Sequence, residues 1–292
     1  MCMSETLPPF SSTLPLEDTV MYILLKAQRG LGLSFEQVME RAEVSEEILT
    51  GIFNGQLVGD AIPEAELRRV AFVLNLNASA LTEIAYHRYQ PVVHSPKELV
   101  MTTTPFGQGM TVNAFLVWDP VTKKSASFDT GSDCSGLLTA MSEHELQHQY
   151  VFITHTHLDH LADIERLQRE VPLAKGFGPG IENPLGLNPL SHGDRFMLGS
   201  LQISVLGTSG HTPGGLSYFI EGLEKPLVIV GDALFAGSMG GATMAYQTAL
   251  SNNQKYIYTL PEDTIICPGH GPLTTVGQEK AHNAFYACGH LG

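Results

Sequence analysis

Apolar positions change their period once along this chain. From about Leu16 to Tyr89 they recur every three or four residues, the spacing of one helical face. Val20, Ile23, Leu24 and Ala27 predict a first helix. Ser34, ahead of Glu36 and Gln37, reads as the start of a second, with Phe35, Val38, Met39 and Ala42 on its apolar side. Ser45 reads as the N-cap of a third, which carries Ile48, Leu49 and Ile52 and stops at Gly55. Pro63 opens a fourth containing Leu67, Val70, Ala71 and Leu74, and Ser79 to Tyr86 makes a fifth. Gln90-Pro91 through Ser95-Pro96 reads as a linker.

After residue 97 short apolar runs take over. Leu99 to Thr103, Thr111 to Trp118, Ser125 to Phe128, Val151 to Thr154, Leu201 to Leu206, Leu216 to Ile220 and Leu227 to Val230 predict strands. Helical stretches fall between some of them, at Ser135 to Gln147, Leu161 to Glu170, Tyr246 to Thr259 and Val276 to Phe285. Glycine- and proline-rich turns separate many of these elements. The expectation is a helical domain over 1–95 and a layered α/β domain over 96–292.

Composition narrows this little. At 292 residues with 43% apolar and 16% charged positions, the chain suits one or two globular domains. A formal net charge of −14 opposes non-specific binding to nucleic acid or to an anionic membrane surface. No apolar run approaches the roughly 20 residues of a membrane span. Met1 to Leu16 lacks a basic region followed by an apolar block, so a cytoplasmic location is expected. Cys2, Cys134, Cys267 and Cys288 are scattered and form no CxxC pair, so neither a zinc ribbon nor a redox dithiol is indicated.

The candidate chemistry lies in His155-Thr156-His157-Leu158-Asp159-His160, directly after the strand-like Tyr150-Val151-Phe152-Ile153-Thr154. Neutral imidazole and carboxylate are ligands for zinc, iron or manganese. A tight loop at a strand end lets successive side chains splay around a metal. Three further candidates sit among glycines after apolar segments: His211 in Gly210-His211-Thr212-Pro213-Gly214-Gly215, Asp232 in Gly231-Asp232-Ala233, and His270 in Pro268-Gly269-His270-Gly271-Pro272. Ligands on tight loops at the ends of rigid strands are what a preorganised metal site requires.

In order and spacing these motifs resemble the metallo-β-lactamase superfamily over about residues 98–285, and most of all its glyoxalase II-like (hydroxyacylglutathione hydrolase-like) branch, on Pro268 to Lys280. The resemblance implies an αββα sandwich with metals at one rim of the two sheets. It implies that His155, His157 and His211 hold a first metal, that Asp159, His160 and His270 hold a second, and that Asp232 bridges them. Asp129, in Phe128-Asp129-Thr130-Gly131, would accept hydrogen bonds from the ligand loop. Two divalent ions are expected, zinc first, with iron or manganese as alternatives. They would share a hydroxide that attacks a small ester or thioester, with Asp159 orienting it and moving its proton. A mononuclear-iron persulfide dioxygenase of the same superfamily is the competing enzymatic reading.

Two departures bear on the substrate. The glutathione-thioester hydrolases commonly carry a basic residue after the glycines that follow the bridging Asp. Here Gly237-Ser238-Met239-Gly240-Gly241 is followed by no nearby Lys or Arg. With 22 residues after His270, the helical extension that grips glutathione is not expected here. Asp rather than Cys at the bridging position argues against a true zinc β-lactamase.

The first part of the chain resembles the helical N-terminal domain of cyanase, a relative of helix-turn-helix domains, on Leu33 to Val38 and Ser45 to Gln56. Residues 1–95 hold six Lys or Arg against twelve Asp or Glu, and the segment in the recognition-helix position opens with Glu46-Glu47. Phosphate contacts dominate DNA affinity, so packing or homo-oligomerisation is expected there rather than DNA binding. A non-catalytic, ligand-sensing regulator is the third reading. His144, His148 and His192 are expected at the surface or in loops, His282, Tyr218 and Tyr246 in structural roles, Cys267 inert, Met239 and Met244 in packing, and Lys26, Arg29 and Arg41 as solvated charges.

Overall fold

The computed structural model describes residues 14–107, 109–183 and 186–286. Cys2 and Cys288 lie outside the described residues. Five helices come first: α1 (Val20–Leu31), α2 (Phe35–Ala42), α3 (Glu46–Phe53), α4 (Glu64–Val73) and α5 (Ala78–Ala85). Each begins close to where the pattern places it. Ser34 accepts from the Gln37 amide while the Gln37 side chain accepts from the Ser34 amide, a capping box that fixes the start of α2.

Two six-stranded sheets follow. The first runs in order from β1 (Leu99–Phe106) through β2 (Met110–Trp118), β3 (Lys124–Phe128), β4 (Gln147–Phe152) and β5 (Lys175–Pro179) to β6 (Asn188–Leu190). Strands β1 to β3 are antiparallel and β3 to β6 parallel. The second contains β7 (Arg195–Leu198), β8 (Leu201–Gly207), β9 (Leu216–Glu221), β10 (Leu227–Gly231), β11 (Ile265–Pro268) and β12 (Thr274–Thr275), again in sequential order, with β10 and β11 parallel.

Alternation within each strand builds the layers. Phe115 and Val117 on β2 and Leu227 and Ile229 on β10 face the core between the sheets, with Phe128, Phe152 and Tyr218. Ala114, Leu116 and Trp118 face outward and are covered by residues of α6 (Ser135–Glu143) and α8 (Ile164–Glu170). Val228, Val230 and Ile266 on the outer face of the second sheet meet Ile257, Tyr258 and Val276, the last from α10 (Val276–His282). Both faces of the central strands are buried, which is why they read as unbroken apolar runs rather than alternating ones. The result is the αββα arrangement.

Several elements differ from the pattern-based expectation. Strands β5, β6, β7, β11 and β12 were not expected. They are two to five residues long, and β5 holds Gly176, Gly178 and Pro179, all poor strand formers. The helix expected to reach Gln147 ends at Glu143, and that stretch instead begins β4. The helix expected from Leu161 splits into the single turn α7 (Leu158–Leu161) and α8. The one expected over Tyr246 to Thr259 becomes α9 (Tyr246–Asn252) and a π-helical turn, Asn253–Ile257. No helix among the described residues is long and apolar enough to cross a membrane.

The helical segment shares one apolar cluster with the second sheet's connections. Val20, Ile23, Leu24 and Ala27 of α1 belong to the same core as Met239, Ala242, Tyr246, Ala249 and Phe285. The stretch read as a linker is pinned: the Val92 amide donates to Gln278 Oε1 and Gln90 Nε2 to the Leu14 carbonyl.

His148, expected at the surface, is partly buried on β4, with Ser125 Oγ 2.9 Å from Nδ1 and Ser127 Oγ 3.2 Å from Nε2. Burial pulls its pKa down to about 4. The unfolded chain takes up this proton near 6.5 and the folded chain only near 4, so folding stability falls as pH drops through that window. The expected contribution is about 2 kcal/mol, discounted for partial exposure. Urea titrations between pH 7 and 4 should show a shallower loss of stability in His148→Gln than in the parent; identical slopes would remove His148 from the explanation.

Candidate metal centre

The sequence-predicted ligands gather at one rim of the sandwich, each delivered by a strand end. His155 and His157 leave β4, and Asp159 and His160 lie on α7, the next turn. His211 sits between β8 and β9, Asp232 directly follows β10, and His270 follows β11 by two residues. Two groups result. The donor atoms of His155, His157, His211 and Asp232 all lie within 4.8 Å of one another, and so do those of Asp159, His160 and His270.

Asp232 reaches both groups. Its Oδ2 lies 3.3 Å from His211 Nε2 and 3.5 Å from His270 Nε2, and its Oδ1 lies 3.3 Å from His160 Nε2. Asp159 Oδ2 is 3.3 Å from His270 Nε2 and 3.8 Å from His160 Nε2. Gly269 permits this closeness: a Cβ there would collide with Asp232 Oδ1 and His160 Cε1.

Hydrogen bonds behind the site set which nitrogen each ring presents; the tautomers follow from these partners. His211 Nδ1 donates to the Gly241 carbonyl at 2.8 Å, and His270 Nδ1 to the Thr111 carbonyl at 2.6 Å. His160 Nδ1 donates to Asp129 Oδ2 at 2.7 Å. Thr154 Oγ1 donates to Asp129, which leaves it to accept from His155 Nδ1 at 3.0 Å. These four rings therefore turn Nε2 inward. His157, the exposed member, turns Nδ1 inward instead, 3.1 Å from His155 Nε2 and 3.0 Å from His211 Nε2.

That packing is a test of whether a metal fits. The inward nitrogens of His155 and His211 carry lone pairs, and His157 Nδ1 has one proton at most to offer the two. One cation satisfies all three. Ligands about 2.0–2.1 Å from a tetrahedral centre lie about 3.3 Å from each other, close to the spacing seen here. Two buried atoms, His160 Nε2 and Asp232 Oδ1, also have no hydrogen-bond partner. The donor set of imidazole and carboxylate suits zinc, iron or manganese.

Electrostatics agree with this picture. Burial holds His155 and His211 below the usual imidazole range. Burial also opposes charge on His160, but Asp232 and Asp129 outweigh it and lift that ring to about 10. His270 is lifted to about 11 by its contacts with Asp159 and Asp232, again against burial. Asp232, though buried, is driven well below the ordinary carboxylate range by His160 and His270. Protons and a cation compete for the same nitrogens.

Sequence reasoning missed several supporting residues. Asn113 is buried in mid-strand and donates to the carbonyls of Pro268 and Gly271, holding the His270 loop. A polar residue inside an apolar run was the signal for it. Glu279 on α10 is fully buried, accepts from Tyr89 Oη and the Gly237 amide, and so ties α10 to the loop after Asp232. Lys26 is not a free solvated charge: it donates to Asp18 and, at 2.9 Å, to the Met239 carbonyl. Met244 is 97% exposed and does not pack as expected, whereas Met239 is buried. Tyr218 is a core residue whose hydroxyl donates to the Ile153 carbonyl, Cys267 is fully buried, and His282 stacks on Tyr89. His144 and His192 are exposed; His144 stacks on Trp118 and His192 lies tilted against Tyr256.

Comparison with known proteins places this architecture. The Haemophilus influenzae protein named hydroxyacylglutathione hydrolase GloC is 30% identical over 210 residues, which cover 64% of this chain and 96% of that protein. The crystal structure of ETHE1 from Myxococcus xanthus superposes with a TM-score of 0.55 at 25% identity, over 63% of this chain and 83% of that one. The BLEG-1 B3 metallo-beta-lactamase gives a TM-score of 0.54 at 27% identity, over 64% of this chain and 100% of its own. A family model described as the metallo-beta-lactamase superfamily matches residues 107–270, which hold all seven candidate ligands and leave α1 to α5 outside the match. The chain belongs to the metallo-β-lactamase superfamily.

Proposed function

We propose that this chain is a metal-dependent hydrolase of a small ester or thioester, of the glyoxalase II-like kind. The observation that carries the proposal is the convergence of seven donor side chains in two adjoining groups, with Asp232 within 3.5 Å of members of both. The relative named hydroxyacylglutathione hydrolase, matched over nearly its whole length, supports the same reaction class.

In this reading His155, His157 and His211 would hold one ion and Asp159, His160 and His270 another, with Asp232 within reach of both. Bound divalent ions lower the pKa of water from roughly 15.7 to about 7 and polarise a carbonyl, so a nucleophile exists at neutral pH without a Ser or Cys. The chain supplies order around that chemistry. Asp129 and the backbone carbonyls of Thr111 and Gly241 lock the rings of His160, His270 and His211. Asp159, held below the usual carboxylate range by His270 and His160 despite burial, orients the attacking water and carries its proton to the leaving group.

The test is a panel of acyl thioesters, lactones and phosphodiesters offered to metal-loaded protein. Thioester or lactone hydrolysis that a chelator abolishes and added metal restores is expected. Turnover of phosphodiesters alone, or oxygen uptake with a persulfide in iron-loaded protein and no hydrolysis, would replace this reading.

A further inference from the structure

The helical segment reaches the metal rim through the strap that precedes it. Residues 14–19 lead into α1 and lie against Gly271, next to the candidate ligand His270. A Cβ on Gly271 would stand 3.1 Å from the Glu17 backbone nitrogen and 3.4 Å from Glu17 Cβ, so the strap's backbone rests on this glycine. Glu17 is partly exposed, and its carboxyl lies within electrostatic range of His270, Asp18, Lys26 and Asp232.

Charge on this wall is unbalanced. Asp18 accepts from Lys26 and from Ser238 Oγ, and Lys26 also donates to the Met239 carbonyl. The Lys26 ammonium lies 5.0 Å from the Phe235 ring centroid, and that ring stands edge-on to His270 at 5.6 Å. The lysine that reaches this loop is thus engaged by Asp18, a carbonyl and a ring. No such partner holds Glu17: among the described residues its carboxyl has no ion pair and no side-chain hydrogen bond.

We propose that Glu17 is a specificity-determining residue, which disfavours substrates whose leaving group is anionic and favours neutral or cationic ones. This rests on the hydrolase reading above. A substrate carboxylate beside His270 meets a second carboxylate on a partly buried side chain, where like charges repel more than in water. The helical segment is then a wall of the substrate site.

Three thioesters with one acyl group test this: the thiocholine ester (cationic), the N-acetylcysteamine ester (neutral) and the 3-mercaptopropionate ester (anionic). In the metal-loaded parent, kcat/KM should fall in that order. Glu17→Gln should narrow the cation-to-anion ratio by about five- to tenfold, and Glu17→Lys should invert the preference. Because each ratio is taken within one protein, partial loss of folded material does not move it. An unchanged ratio in both variants overturns the proposal while leaving the hydrolase reading intact. If the parent cleaves none of the three and none of the thioesters or lactones of the panel above, the hydrolase reading fails. Binding of the matching non-hydrolysable thioethers then decides the charge preference: weaker binding of the anionic one, relieved in Glu17→Gln, supports the role of Glu17, and equal binding overturns it.

Discussion

Asp232→Ala is expected to abolish thioester hydrolysis, lowering kcat/KM by at least about a thousandfold, because it removes the group that holds both halves of the site and with it the metal-generated nucleophile. Asp232 is the carboxylate that reaches His211 at 3.3 Å, His160 at 3.3 Å and His270 at 3.5 Å. Without it, the rings of His155, His157 and His211 must hold a dication with no anionic ligand of their own. A thermodynamic readout separates lost metal from lost folding. A ligand present at about a thousand times its Kd stabilises the folded state by about 4 kcal/mol. Added metal should raise the parent's stability by that order and leave Asp232→Ala almost unmoved. Equal stabilisation of the two proteins would remove Asp232 from the metal site.

The second large effect is expected at Asp129, which touches no substrate. It sits just past β3 in a left-handed conformation, with φ 58°, and is 1% exposed. Its carboxylate accepts from the Thr154 amide at 2.7 Å, from Thr154 Oγ1 at 2.8 Å and from His160 Nδ1 at 2.7 Å. One side chain thereby fastens the end of β4, sets the orientation of His160 and, through Thr154, the tautomer of His155. Asp129→Ala strands two buried N–H donors at about 1–3 kcal/mol each and places a β-carbon residue without a compensating side chain at positive φ. A total loss near 3–5 kcal/mol is expected in urea unfolding, together with a 10- to 100-fold loss of metal affinity. Asp129→Asn tolerates the backbone better but turns an amide N–H₂ toward one of the donors, so it should recover part of the stability and little of the affinity. Parent-like melting and metal binding in the alanine variant would show that the ligand loop orders itself without Asp129.

How much of this was legible from the residues depends on where each signal sits. The seven ligand candidates announce themselves because imidazole and carboxylate are unusual at the end of an apolar run, four of them packed into His155 to His160 and three set among glycines, and the fold brings those run ends together at one rim. The central strands and α1 to α5 were legible for a similar local reason, since burial on both faces or on one helical stripe leaves its period in the sequence. The short strands β5, β6, β7, β11 and β12 were not. β6 and β12 have three and two residues, too few for any period, and form because a longer neighbour offers unpaired backbone. The supporting residues were hidden for another reason. Lys26 meets Met239 across 213 positions and Tyr89 meets Glu279 across 190, contacts that only the folded chain creates. The absence of a basic residue after Gly241 was visible; that Lys26 arrives at the same loop from α1, already neutralised by Asp18, was not.

The helical segment also changes meaning once it is packed. Its acidic character counted against a DNA-binding role, but the same sequence carries Glu17 to the metal rim. The Haemophilus influenzae relative is matched over 96% of its length by only 64% of this chain. The strap and its helices lie outside the residues matched by the family model and carry the proposed difference in substrate preference.

The central claim is that the seven side chains form a two-metal site. Metal analysis of protein purified without chelators, with stepwise titration of any metal-free fraction, tests it most directly. Close to two divalent ions per chain, falling well below one in Asp232→Ala, is the expected result. A well-folded parent protein that is isolated without metal and takes up none on titration with zinc, iron or manganese would contradict it.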